Sequence, residues 1–182
     1  KKNVHLSSIS GGTDIVSCFV LGNLYQPVML GEIQNKGLGL DVDIFNEKGK
    51  PLKNEKGELV CKNPFPSMPL KFWNDKKDIK FKKAYFNVFL NTWHHGDYAE
   101  TKKSGGFIIY GRSDTTLNPG GVRLGTAEIY SEVEKFKEVK ESIVVGQPWD
   151  NDVRIVLFIV LNNRYELNED LLKKIKMQIR KN

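Results

Sequence analysis

Two arginines, Arg112 and Arg123, stand on either side of Asn118-Pro119-Gly120-Gly121 in the stretch GRSDTTLNPGGVRLGTAEI, residues 111–129. Each guanidinium offers a planar fork of donors that suits a phosphate or a vicinal diol; the competing reading is a pair of surface cations. Proline presets φ near about −65° and the glycines accept positive φ, which predicts a tight turn whose bare backbone another molecule can approach. A second group, SGGTD at 10–14, puts a hydroxyl and a carboxylate after two glycines. These are the materials of an oxyanion or metal-phosphate cradle, or of an ordinary turn entering a strand. A third, WHHGDY at 93–98, has adjacent histidines. Successive strand residues point to opposite faces, and no cysteine or third histidine lies at ligand spacing, so zinc is not expected. Asp97, just after Gly96, suits the hydroxyls of a sugar or merely closes a turn.

The elements that must position these groups change character near Asp114. Up to residue 113 the pattern predicts short strands at 16–20, 29–33, 39–45, 57–61, 92–99 and 106–110, with KSGG closing a hairpin. LDVDIF and GELVC alternate with period 2, as suits a half-exposed antiparallel sheet. The reading is a β-rich subdomain, a distorted or open barrel. From 114 to 182 it is a small α/β domain with a mixed sheet and flanking helices, giving an α+β chain. Around NPGG a short extended pair is expected. A helix capped at Thr126, with Glu128 in its first turn, carries Ile129, Val133 and Phe136 on one face and ends near Lys137. ESIVVG and VRIVLFIVL read as strands, the second buried. Asn168 caps a last helix that presents Leu171, Leu172, Ile175 and Ile179 and continues toward Asn182.

The composition of the 182 residues is globular, and the longest apolar run, IVLFIVL, is far short of the roughly 20 residues that span a bilayer. No secretory leader is read at Lys1, and the absence of an initiator methionine suggests a fragment. Cys18 and Cys61, 43 positions apart, read as reduced thiols rather than a disulfide framework, which favours the cytosol. The net charge of +6 fits a polyanionic partner or a lysine-rich solvated surface. KFWNDKKDIKFKKAYF, 71–86, interleaves lysine and aromatic residues as a single-strand nucleic-acid surface would. The alternative is an amphipathic segment with its aromatics turned inward, and with no recognition module in sight no nucleic-acid partner is expected.

Taken in order, SGGTD, GELVC, WHHGDY and GRSDTTLNPGGVRLGTAEI resemble the carboxy-terminal third of the adenylate-forming acyl-CoA synthetases, over nearly the whole chain. SGGTDI, NPFPSMPLKFWND, KKAYF and GRSDTTLNPGGVR most resemble the branch that takes acetoacetate and, more loosely, the one that takes acetate. The resemblance implies a ligase that uses ATP, magnesium and CoA to convert acetoacetate or a similar short acid to its thioester by way of an acyl-adenylate. Acetyl- or propionyl-specific relatives, and more distantly a basic nucleic-acid-binding module, are the alternatives. It further implies that Gly12 and Thr13 bind the nucleotide phosphate and that Asp14, where most relatives have glutamate, helps hold magnesium. Asp97 accepts the ribose hydroxyls, Arg112 contacts the ribose from the other side, and Arg123 reaches the phosphate in one orientation of the small domain. Asp114 is the hinge, Gly120 and Gly121 come beside the pantetheine arm of CoA, and Gly11 leaves room for an acid longer than acetate. Ser10 replaces the usual adenine-stacking aromatic and is given no such role. The family's phosphate loop and catalytic lysine have no counterpart in this chain, so by itself it is expected to be inactive.

Overall fold

Alternating apolar residues draw the first part of the chain into two antiparallel sheets. The computed structural model describes residues 4–181 and divides into two units, Lys1–Ile109 and Tyr110–Asn182. In the first unit, β1 (Ser10–Gly12), β2 (Ser17–Leu21) and β3 (Asn35–Lys36) form one sheet. A second takes β4 (Val42–Phe45), β5 (Lys56–Cys61), β6 (Trp93–Thr101) and β7 (Phe107–Arg112) in chain order. The predicted KSGG hairpin joins β6 to β7, with the Lys102 N–H donating to the Gly106 carbonyl at 2.8 Å.

The sheets are not a barrel. Closure requires the last strand to pair with the first, whereas both sheets run in linear order with open edges. An isolated bridge, Ile33 with Phe107, extends into no ladder. The segment 29–33 is not a strand, because a turn at Met29, closed by the Glu32 N–H at 3.2 Å, takes its place. The alternation of β4 and β5 also misleads: β5 is buried from Gly57 to Cys61. Leu59 and Cys61 enter the main core, while Val60 packs with Phe45 and Phe89 on the other face. Cys18 and Cys61 are free thiols, and burial raises the pKa of Cys61.

The main core is aromatic. Trp93, only 1% exposed, lies among Phe19, Phe65, Phe81 and Phe86 at ring distances of 5.4–6.3 Å. It also stacks flat against Tyr85 at 3.7 Å. Much of this comes from the lysine–aromatic stretch 71–86, whose α1 (Ile79–Tyr85) turns Phe81 inward. Asp75 starts that helix by accepting from the N–H groups of Lys80 and Phe81 at 3.0 and 2.8 Å. Among the described residues, the Trp93 indole N–H is a buried donor without a hydrogen-bond partner.

The second unit packs α2 (Thr126–Val133) and α3 (Glu169–Ile179) on one face of a hairpin, β8 (Val139–Trp149) and β9 (Asp152–Leu161). The sheet is antiparallel and two-stranded, not mixed. Its turn, Asp150-Asn151, takes φ of 51° and 59°, the left-handed pair that matches strand twist in two-residue hairpins. Ile129, Val133, Leu171 and Ile175 meet Val144, Ile155 and Leu157. Buried Glu132 on α2 ties the helices by accepting from Gln178 Nε2 at 2.6 Å. The cap of α2 is Gly125, whose N–H donates to Glu128 at 2.9 Å, with Thr126 the first helical residue. The helix stops at Val133, where the chain turns back through Phe136 N–H to the Val133 carbonyl. Asn168 caps α3 as expected, accepting from Leu171 N–H at 2.9 Å. The helix does not continue toward Asn182, which itself lies outside the described residues: it ends at Ile179, where the Lys181 N–H turns back to the Gln178 carbonyl at 3.3 Å.

β9 is not the buried strand its composition suggests. Its second face is open, so Ile143, Val145, Phe158 and Val160 are exposed, Ile143 by 61% and Phe158 by 58%. Among the described residues no helix is long and apolar enough to cross a membrane.

Removing the central ring tests the first core. Trp93→Ala is expected to lower the stability of the first unit by about 3–5 kcal/mol, read from urea unfolding. Trp93→Phe is expected to cost less, because it keeps an aromatic ring and removes the unpartnered donor.

Candidate functional site

In the first unit, the SGGTD and WHHGDY segments meet. β1 presents Ser10, whose hydroxyl donates to Asp97 Oδ2 at 2.9 Å across 87 positions of sequence. Asp97 is 7% exposed, and the His95 Nε2 stands 3.6 Å from the same oxygen. A bulge aims it: Glu58 pairs with Tyr98 and Val60 with His94, so three residues of β6 oppose Leu59 alone. Gly96 supplies the φ of 81° at its centre. The paired histidines part company there, His94 Nε2 lying 2.8 Å from Glu58 Oε2 and His95 beside Asp97.

Gly12, Thr13 and Asp14 follow at the β1–β2 turn, where Thr13–Ile15 form a single 3-10 turn. A Cβ on Gly12 would displace the Asp14 carboxylate as it now lies and touch the His95 ring, so glycine leaves room for these side chains to converge. Thr13 and Asp14 are exposed. Asp14 Oδ1 accepts from Ile15 N–H at 3.0 Å and Oδ2 from the Tyr85 hydroxyl at 2.6 Å. Burial, and then this bond, raise the Tyr85 pKa well above its ordinary range, so the phenol remains a donor. A Cβ on Gly11 would strike the β2 backbone at Ser17 and Cys18. Glycine there serves the close approach of two strands, and a missing side chain does not by itself open a cavity in that direction.

The second unit gathers the arginine loop. Arg112 ends β7, and Asp114 lies in a 3-10 turn, Ser113–Thr115. Their 3.7 Å ion pair, with both side chains more than half exposed, adds little stability. Leu117 and Leu124 exchange two 2.8 Å backbone bonds, the predicted extended pair, and bring Arg123 back to the turn. There Arg123 Nε donates to Thr116 Oγ1 at 3.1 Å, and Nη2 stands 3.5 Å from the Ser113 carbonyl. Gly120 and Gly121 take φ of 58° and 79° with open space where a side chain would be. Asp152 holds the Gly120 N–H at 2.8 Å. Amide donation from Val153 and then Gly120 lowers the Asp152 pKa below its ordinary 3.8.

Sequence reasoning missed four participants: Ser10, Tyr85, His95 and Asp152. Ser10, Tyr85 and Asp152 act on partners 87, 71 and 32 positions away. Ser10, Tyr85 and His95 lie in stretches that carry the family resemblance, and Asp152 lies outside them. As for a cation at Asp14, magnesium keeps several waters and takes one or two carboxylates alongside substrate phosphates. A single exposed carboxylate fits that need. Among the described residues there is no cluster of three or more His, Cys, Asp or Glu side chains able to hold a metal alone.

The fold is that of the CoA ligases. A benzoate CoA ligase from Burkholderia xenovorans LB400 matches 94% of this chain and 33% of its own with a TM-score of 0.76 at 23% identity. The acetoacetyl-CoA synthetase from Streptomyces lividans matches with a TM-score of 0.87 and 42% identity, over 96% of this chain and 26% of its own. Acetoacetyl-coenzyme A synthetase of Rhizobium meliloti (strain 1021) is 59% identical over 180 residues, which are 99% of this chain and 28% of that protein. The Gallus gallus acetoacetyl-CoA synthetase is 49% identical over 182 residues, 99% of this chain and 27% of its own. This chain is a close homologue of the acetoacetyl-CoA synthetases and spans little more than a quarter of their length. No family model matches it.

The Asp152 tether is open to titration. With a folded pKa below 3.8, its contribution is fully present above that value and is lost as pH falls through the depressed one. The Gly120 amide resonance is therefore expected to titrate with a midpoint under 3.8, and Asp152→Asn to abolish that inflection.

Proposed function

We propose that this chain supplies part of the nucleotide site and the small mobile unit of an ATP-dependent acetoacetate–CoA ligase. The observation that carries this is 59% identity to an acetoacetyl-CoA synthetase over 99% of the chain; the meeting of Ser10 and Asp97 at 2.9 Å supports it. In the first half-reaction a carboxylate oxygen of acetoacetate attacks the α-phosphorus of ATP and expels pyrophosphate. In the second, the CoA sulfur attacks the acyl carbon, loses its proton, and expels AMP. Both steps build negative charge on oxygen, which preorganised donors and cations stabilise.

The roles follow residue by residue. Gly12 exposes backbone and Thr13 a hydroxyl to the phosphate. Asp14 holds magnesium, which when bound neutralises phosphate charge. Asp97 accepts the ribose hydroxyls, since a carboxylate takes several donors at once. Arg112 contacts the ribose, and Arg123 turns its fork to the phosphate in one orientation of the small unit. The chain swivels at Asp114, and Gly120 and Gly121 give the pantetheine arm a path free of side chains. Gly11 lines the acyl side through its backbone, so the preference for acetoacetate over acetate or propionate rests on the homology rather than on the volume of a missing side chain. The free cysteines fit a cytosolic, reducing compartment.

The complete protein is expected to turn over ATP to AMP only with acid and CoA present, with acetoacetate giving the highest kcat/KM among short acids. No acid-dependent AMP would refute the ligase reading; acetate in first place would refute the substrate. Arg112→Ala is expected to slow both half-reactions by about tenfold to a hundredfold, the loss of a charge-assisted contact. Asp114→Pro is expected to slow thioester formation far more than ATP–pyrophosphate exchange; equal losses would remove the hinge.

A further inference from the structure

Asp14 sits on an exposed turn, where an aspartate samples several rotamers and must lose that freedom to hold a ligand. Here its carboxylate is gripped at both oxygens. One bond, from Ile15 N–H at 3.0 Å, comes from its own neighbour and moves with the turn. The other does not: the Tyr85 hydroxyl reaches Oδ2 at 2.6 Å from 71 positions away. That length is typical of an O–H donor on an ionised carboxylate.

What makes Tyr85 an anchor is its ring. It lies flat on Trp93 at 3.7 Å and 15°, and Phe72 and Phe81 meet it edge-on at 5.7 and 5.5 Å. Trp93 is itself almost completely buried in the first unit. The hydroxyl is thus the exposed end of a rigid aromatic stack rooted in the core. We infer that Tyr85 is a positioning residue for Asp14: it carries the rigidity of the core to the carboxylate and holds its plane ready for the magnesium–nucleotide phosphate. Two donors leave acceptor capacity on a group with about four lone-pair sites. The inference rests on the proposed role of Asp14.

The test uses Tyr85→Phe in the complete enzyme, which keeps the stacked ring and removes only the hydroxyl. The magnesium concentration for half-maximal acetoacetate-dependent ATP–pyrophosphate exchange is expected to rise about tenfold, the scale of one charge-assisted hydrogen bond. Binding of manganese to the enzyme–ATP complex, followed by electron paramagnetic resonance, is expected to weaken by a similar factor. Conversion of supplied acetoacetyl-adenylate to the thioester is expected to be unchanged. In an Asp14→Asn background the hydroxyl is expected to lose most of its effect. A Tyr85→Phe enzyme with wild-type metal dependence, beside an Asp14→Asn enzyme that is impaired, would overturn the positioning role and leave the reading of Asp14 standing. If neither substitution moves the metal dependence, the reading of Asp14 falls and takes the positioning role with it. A Tyr85→Phe effect of equal size with and without the Asp14 carboxylate would show that the hydroxyl acts elsewhere.

Discussion

The first unit is governed by the demand that one strand be both core and site. Four positions of β6 separate Trp93, the centre of an aromatic cluster, from Asp97, the carboxylate that meets Ser10. A regular strand would keep strict alternation and fix the direction of every side chain once the tryptophan was seated. The bulge at Gly96 breaks that constraint, because extra residues opposite Leu59 let the second half of the strand be aimed independently. The same tryptophan serves a second carboxylate through Tyr85. Packing at the centre thus sets the orientation of two acidic groups contributed by unrelated parts of the chain.

The second unit reaches a similar end with hydrogen bonds rather than packing. Its loop from Arg112 to Arg123 has few buried side chains to hold it. It is closed instead by the Leu117–Leu124 pair, by Arg123 on Thr116, and by Asp152 on Gly120. Such polar ties on an exposed segment are individually weak and exchange readily with water. A loop built this way can keep a defined shape and still rearrange, a property that a rigid core denies to Asp97.

What the chain announces locally is what short-range physics controls. The hairpin at KSGG, the extended pair around NPGG and the Asn168 cap each depend on a few adjacent residues, and all three are present. Barrel closure depends on where distant strand edges end, and periodicity is silent about that. β1 escaped notice because Ser10–Gly12 contains two glycines and no apolar residue. The extent of burial was misjudged in both directions for one reason. Alternation reports the composition of a strand, whereas β5 is covered on both sides by its neighbours and β9 is covered on one. In the site, the motifs named the carboxylates, but Ser10–Asp97 and Tyr85–Asp14 join positions 87 and 71 apart. No spacing rule spans such distances.

The bare side of the β8–β9 hairpin bears on how the polypeptide behaves in a tube. Ile143, Val145, Phe158 and Val160 form a water-facing oily strip with helices only behind it. Surfaces of that kind drive colloidal association unless something shields them. This ribbon is a place where two such chains can stick, against the repulsion of their positive charge.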